Sequence, residues 1–196
     1  MRLVVGMTGA SGAVYGIRLL EHLRVLGVET HLVASRWGER TIQHETPYTL
    51  AEVRGLASEH HGAMDQAAVI SSGSFRTDGM AIVPCSMRTA SAIAHGVGDT
   101  LVCRAADVTL KEGRKLVLVV RETPLSAIHL ENLLKLARLG VVVLPPVPAF
   151  YNHPEGIEDL VEHLVVRVLD QFGLEATVGR RWTGILERRA GAADED

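Results

Sequence analysis

Aromatic residues make up only 4% of this 196-residue chain, which argues against the stacking platforms that hold single-stranded nucleic acid. A strong charge of either sign is also missing. The formal net charge is −3, so neither a nucleic-acid footprint nor a polybasic membrane contact is expected. The two cysteines, Cys85 and Cys103, stand in apolar or small-residue surroundings. Their spacing fits neither a redox pair nor a thiolate metal site, and a reduced, cytoplasmic setting is expected. Nine histidines are scattered without a His-Glu-x-x-His or a Cys/His cluster, so no catalytic metal is expected; His60-His61 reads as loop. No apolar stretch approaches the ~20 residues of a membrane span. The apolar start breaks into glycines at Gly6, too early for a secretory signal. A P-loop, a Gly-x-Gly-x-x-Gly fingerprint and a Gly-x-Ser-x-Gly elbow are all absent, which removes the commonest nucleotide and acyl-hydrolase signatures.

What is present is apolar content of 47%, enough for one sizeable core and a single domain. Short β-rich runs at Leu3-Val4-Val5, 29–34, 80–83, 116–120 and 141–144 alternate with helical patterns at 14–26, 37–44, 87–95, 100–112, 125–139 and 156–172. Gly27 stops the first helix. Continuous apolar strands separated by helices predict an α/β, doubly wound parallel sheet of Rossmann-like or flavodoxin-like type. A domain over 1–182 and a frayed tail over 183–196 are expected.

Three constellations bear on chemistry. Strand one runs into Gly6-Met7-Thr8-Gly9-Ala10-Ser11-Gly12, where small residues and a helix N-terminus suit an anion or flavin, although a plain strand-to-helix turn explains them too. Strand three ends in Pro84-Cys85-Ser86-Met87-Arg88-Thr89; Ser86, Thr89 and, on strand two, Ser35 form a row of hydroxyls that read either as ligand donors or as helix caps. Arg104 and Lys111 share one helix face, and the next strand ends in Arg121-Glu122. Three cations and one acid at the carboxyl rim suggest a phosphorylated ligand and a proton transfer, against the plainer reading of a solvated helix face and a loop ion pair. Glu45, Tyr151, Arg167 (amid Val165, Val166, Val168 and Leu169) and Trp182 also stand out. An Arg in such a stretch commonly snorkels, a Tyr commonly packs its ring, and Trp182 suits a subunit contact or a ligand cover.

Read together, Met7–Ala13, Ser72–Met80, Pro84–Thr89, Arg104–Val108 with Leu110-Lys111-Glu112, Arg121–Ser126 and Pro148–Tyr151 resemble the flavin prenyltransferases of the UbiX family. The likeness extends from residue 1 to Trp182. The resemblance implies an enzyme that binds reduced FMN and joins a dimethylallyl group, from the mono- or diphosphate, to its N5 and C6 without a metal. The product would serve a UbiD-type decarboxylase. Carried over, Gly9, Ala10, Ser11, Ser35, Ser86, Met87, Arg88, Thr89 and Arg121 would hold FMN. Glu45, Glu122, Lys111 and Ser11 would act in catalysis, and Arg104, Lys111, Tyr151, Arg167 and Trp182 would hold dimethylallyl phosphate. A homo-oligomer, usually a dodecamer with sites at subunit junctions, is implied. The segment around Gln66 lacks the aromatic that some members place beside the flavin. Two other readings are a flavin-dependent cysteine decarboxylase of the same superfamily and a non-catalytic flavin carrier or decarboxylase partner. The first would carry a Pro-Ala-Ser-Ala-Asn-type segment at strand three; the second has no need of Glu122 and Lys111.

Overall fold

Strands that are apolar on both sides must be covered on both sides. In the computed structural model, which describes residues 1–176, six strands form one sheet: β1 (Arg2–Met7), β2 (Glu29–Ala34), β3 (Glu59–His61), β4 (Gly79–Cys85), β5 (Lys115–Val120) and β6 (Val142–Val143). Their order is β3-β2-β1-β4-β5-β6, and every neighbouring pair is parallel. Seven helices connect them: α1 (Ala13–Val25), α2 (Arg36–Glu45), α3 (Leu50–Leu56), α4 (Met87–Ala94), α5 (Leu101–Lys111), α6 (Ala127–Arg138) and α7 (Ile157–Gln171).

The period-two geometry of a strand divides the interior into two cores. Leu3, Val5, Met7, Ala81, Val83, Val117 and Val119 pack beneath α1 and α7. Val4, Met80, Ile82, Leu116, Leu118 and Val120 pack beneath α4 and α5. Each fully buried Leu, Ile or Val side chain contributes about 1.5–3 kcal/mol, so these rows dominate the stability of the sheet. At the end of α1, Gly27 adopts φ 67, the left-handed turn that the sequence predicts there.

Two elements depart from expectation. His60 and His61 are not loop but part of β3, a short polar edge strand paired in parallel with β2. Helix α3 begins at a capping box in which Thr49 and Glu52 satisfy each other's backbone N–H, a signature present in the sequence. The predicted tail over 183–196, like the boundary at 182, lies outside the described residues.

The order reverses between β1 and β4: one half of the chain winds outward from β1, the other from β4. Ligands of open α/β sheets bind at that crevice, beyond the carboxyl ends of the strands.

Candidate functional site at the carboxyl rim

Four strand tips meet at this crevice and are stitched in a row. Ser35 N–H donates to the Met7 carbonyl at 2.9 Å, joining β2 to β1. Thr8, 2% exposed, donates its hydroxyl to the Pro84 carbonyl at 2.9 Å and accepts from Ser86 N–H at 2.8 Å, joining β1 to β4. Arg121 N–H donates to the Cys85 carbonyl at 3.1 Å, joining β4 to β5. The residues that follow each tip therefore keep fixed mutual positions.

The hydroxyl row both caps helices and faces the crevice. Ser35 accepts from Gly38 N–H at 3.0 Å and caps α2. Ser86 caps α4, accepting from Thr89 N–H at 3.4 Å, and its oxygen lies 3.2 Å from the Thr89 hydroxyl. Helix α2 sits so close to the tip of β1 that a Cβ on Gly38 would come 2.4 Å from the Met7 carbonyl oxygen. A Cβ on Gly9 would meet that of Trp37 at the same 2.4 Å. Gly9 and Ser11 are exposed and Ala10 is buried. The Met87 side chain belongs to the core, so only its backbone faces outward. Arg88 is exposed and Thr89 half-buried.

The start of α1 is where an anion or flavin cradle is expected. Its amides already bind an anion of the chain itself: Glu45 Oε2 accepts from Gly12 N–H at 2.8 Å and from Ala13 N–H at 3.0 Å. Partial burial opposes ionisation of this carboxyl. The Ser11 hydroxyl, those two amides and the charge of Arg121 outweigh it and hold the Glu45 pKa below the usual carboxylate value. Ser11 and Glu45 are thus neighbours at the crevice, whose rim also carries Ser35, Ser86, Thr89 and Arg121. Glu122 is exposed, and its Oε1 accepts from Thr123 N–H at 3.2 Å.

The cations and acid that the sequence suggests gather at one rim are spread along the strands. Arg104 and Lys111 do share the outer face of α5, but that helix runs back toward the amino ends of the strands. Lys111 stands just before Lys115, which pairs with Gly79 where β4 and β5 begin. Arg121 follows the far end of the six-residue β5, about 20 Å away at strand rise. The three cations and one acid are therefore not gathered within one chain. Arg104 donates to the Ser71 carbonyl at 3.1 Å and pairs with Asp107 at 2.9 Å; Lys111 pairs with Glu112. Arg167 is exposed on α7 and pairs with Asp170 at 2.7 Å. It lies one turn before Gln171, whose carbonyl accepts from Lys115 at 2.7 Å, so it too is nearer the amino rim. Tyr151 stands in a 3₁₀ turn (Phe150–Asn152), its hydroxyl 3.4 Å from His163 Nε2 and its ring edge-on to that imidazole. Trp182 lies outside the described residues.

Three residues that sequence reasoning passed over help to build the site. Thr8 bridges β1 to β4, His163 positions the turn carrying Tyr151, and Trp37, 61% exposed, walls the loop at Gly9. Only Trp37 offered a signal, as one of two tryptophans in a chain poor in aromatics.

Comparison with known proteins agrees with this architecture. The flavoprotein family model matches residues 1–169. A probable UbiX-like flavin prenyltransferase of Streptomyces sp. (strain D7) is 62% identical over 98% of this chain and 96% of its own length. A solved dodecameric FMN-dependent UbiX-like decarboxylase from Escherichia coli O157:H7 superposes with a TM-score of 0.93 at 62% identity, covering 94% of this chain and 100% of that one. The structure of AnUbiX in complex with FMN and dimethylallyl pyrophosphate superposes with a TM-score of 0.92 at 56% identity, over 93% of this chain and 97% of that one. With its winding order, its rim of hydroxyls and its Ser11–Glu45 pair, the chain belongs to the UbiX-like flavin prenyltransferases of the flavoprotein family.

Proposed function

We propose that this chain transfers a dimethylallyl group from a dimethylallyl phosphate to N5 and C6 of reduced FMN, releasing the phosphate, and that a UbiD-type decarboxylase receives the prenylated flavin. Relatives more than half identical along nearly the whole chain carry the name flavin prenyltransferase, and one solved relative holds both FMN and a dimethylallyl donor. The donor set fits a flavin mononucleotide: Ser35, Ser86, Thr89 and Arg88 offer hydroxyls and charge to a phosphate and polyol, and Arg121 meets the polar ring edge. When bound, the flavin supplies the two nucleophilic ring positions and an electron-rich face.

The chain's own residues supply positioning, charge and proton handling. The Gly9-Ala10-Ser11 loop lets the backbone approach the ring. Glu45, held ionised beside Ser11, takes up a proton as a bond forms, and Glu122 at the neighbouring strand tip relays the other. Departure of phosphate calls for fixed positive charge. Lys111, Arg104 and Arg167 provide it, with the Tyr151 hydroxyl as a neutral donor, from more than one chain, because one chain places Lys111 about a strand's length from Arg121. The active form is thus a homo-oligomer, a dodecamer as in the solved relative, in the cytoplasm. An uncovered apolar face on α6, with Leu130 54% and Leu134 51% exposed one turn apart, suits such assembly. Closure by a second chain also excludes water from an allylic cation, with Trp182 as a cover.

The observation that carries this reading is the Glu45 carboxylate fixed by Ser11, Gly12 and Ala13 at the winding reversal. Glu45→Gln should retain FMN yet lose product formation by about 10²–10⁴-fold, read as the mass gain of the flavin after incubation with FMNH₂ and donor. Near-normal prenylation would overturn the role of Glu45. Wild-type protein that leaves the donor untouched but releases CO₂ from a carboxylic acid or a cysteine peptide would overturn the reaction.

A further inference from the structure

Two Glu-x-His tripeptides, Glu29-Thr30-His31 and Glu59-His60-His61, stand side by side on β2 and β3, with His31 opposite Glu59 and Val33 opposite His61. Residues two apart on a strand point to the same face, so both glutamates and both terminal histidines converge. His31 Nδ1 lies 3.0 Å from His61 Nε2 and 3.7 Å from Glu59 Oε2. The three donor atoms all fall within 4.8 Å of one another. None of these residues belongs to the crevice at the carboxyl rim.

We propose that His31, His61 and Glu59 form a binding site for a divalent ion of the zinc class, with a water in the fourth position. A tetrahedral ion at bond lengths of about 2.0–2.2 Å holds its ligand atoms roughly 3.3–3.5 Å apart. The observed separations bracket that spacing, and small side-chain rotations close the remainder. Imidazole and carboxylate together are a donor set for zinc rather than for magnesium or calcium, which take oxygen ligands.

The surroundings are built as they are around known sites. The other nitrogen of His31, Nε2, lies 3.2 Å from Glu29 Oε1, and that oxygen accepts from Arg2 Nε at 2.7 Å. A carboxylate behind a histidine fixes the tautomer that turns the remaining lone pair toward a metal and strengthens it as a ligand. His31 is 1% exposed, and Phe75 stands edge-on to it with ring centroids 5.1 Å apart, so its ring is immobilised. Glu59 is the exposed member and leaves one side open to solvent. Without a metal, the two rings are left with a single hydrogen bond between them, and Glu59 has no part in that bond.

The ion would tie the polar edge strand β3 to β2, replacing the proton held between the rings. The test uses the full chain, freed of metal by chelator and without flavin or donor, titrated with Zn²⁺ against a chromogenic indicator and with Co²⁺ for its visible absorption. One Zn²⁺ per chain and an intense tetrahedral Co²⁺ band are expected. His61→Ala should lower Zn²⁺ affinity at least 100-fold and abolish the band, and Glu59→Gln should lower affinity about tenfold. Glu29→Gln should weaken binding by 10–100-fold although it touches no metal. Both β3 substitutions are at exposed or half-exposed positions, and far-UV circular dichroism verifies that the variants fold. Zn²⁺ bound equally by wild type and His61→Ala, or a Co²⁺ spectrum of octahedral type, would overturn the proposal.

Discussion

The two rims of this sheet are made by the same strands, yet they treat charge in opposite ways. At the amino rim, cations are turned onto the chain itself. Arg114 donates to the Gly73 and Phe75 carbonyls at 2.7 and 3.0 Å, Arg2 to the Arg76 carbonyl at 3.0 Å, and Lys115 to that of Gln171 at 2.7 Å. A cleft there of about 520 Å³ is walled by Arg2, Glu29, Arg76, Asp78 and Arg114, residues already engaged in holding the segment before β4. At the carboxyl rim the helices begin rather than end, and α2, α4 and α6 are each capped by a serine hydroxyl of a kind that can serve a ligand as well as a backbone amide. Helix direction and the winding reversal both point to the carboxyl rim.

The sharpest way to break this contrast is to remove one cation from each rim. Arg121→Ala should weaken FMN binding by roughly 1.5–3 kcal/mol, one to two decades, measured by flavin fluorescence. Lys111→Ala should leave FMN affinity within about twofold and raise the Michaelis constant for the donor by a similar one to two decades. If both variants lose flavin alone, the rims do not divide the work as proposed.

A second test concerns what keeps the carboxyl rim in shape. Thr8→Val keeps volume but removes the hydroxyl between Pro84 and Ser86, leaving a buried carbonyl and an amide with poorer partners. Stability in urea should fall by about 1–3 kcal/mol. FMN affinity should fall with it, since Ser86 loses its anchor. A loss of stability with flavin binding intact would make Thr8 a core residue only.

The smallest expected effect is in pH. Because the folded state holds the Glu45 pKa below its ordinary value, Glu45 contributes stability that is present above the unfolded value of about 4.3. That contribution is lost as pH falls through the depressed folded value. Glu45→Gln should therefore make stability less steep on the acid side of pH 4 and change little above pH 6. The side chain is exposed, so the difference is modest; an unchanged acid limb would remove Glu45 as its source.

Much of the fold was legible because β1, β4 and β5 are buried on both faces and read as unbroken apolar runs. Strand β3 was not legible: Glu59-His60-His61 is polar throughout, and only its partner β2 makes it a strand. Helix α3 could have been found from Thr49 and Glu52, whose capping box is local. At the site, Ser35 and Ser86 were legible because each directly follows an apolar strand. Thr8 was not, since its partners Pro84 and Ser86 are more than seventy residues away in sequence. The Glu45 contact with the Gly12 amide at the start of α1 was not legible, because the two residues are thirty-three apart in sequence. Helical spacing correctly put Arg104 and Lys111 on one face, but spacing carries no information about which rim a helix end approaches.

The separation of Lys111 from Arg121 has a consequence for mixtures of defective chains. If the site is composite as proposed, a preparation carrying only Lys111→Ala spoils one contribution to every junction, and one carrying only Glu45→Gln spoils the other. If the two are unfolded and refolded together, some junctions draw an intact Lys111 from one parent and an intact Glu45 from the other. Two impaired proteins would then yield a more active mixture, as happens when a function is owned by the contact between molecules rather than by either molecule.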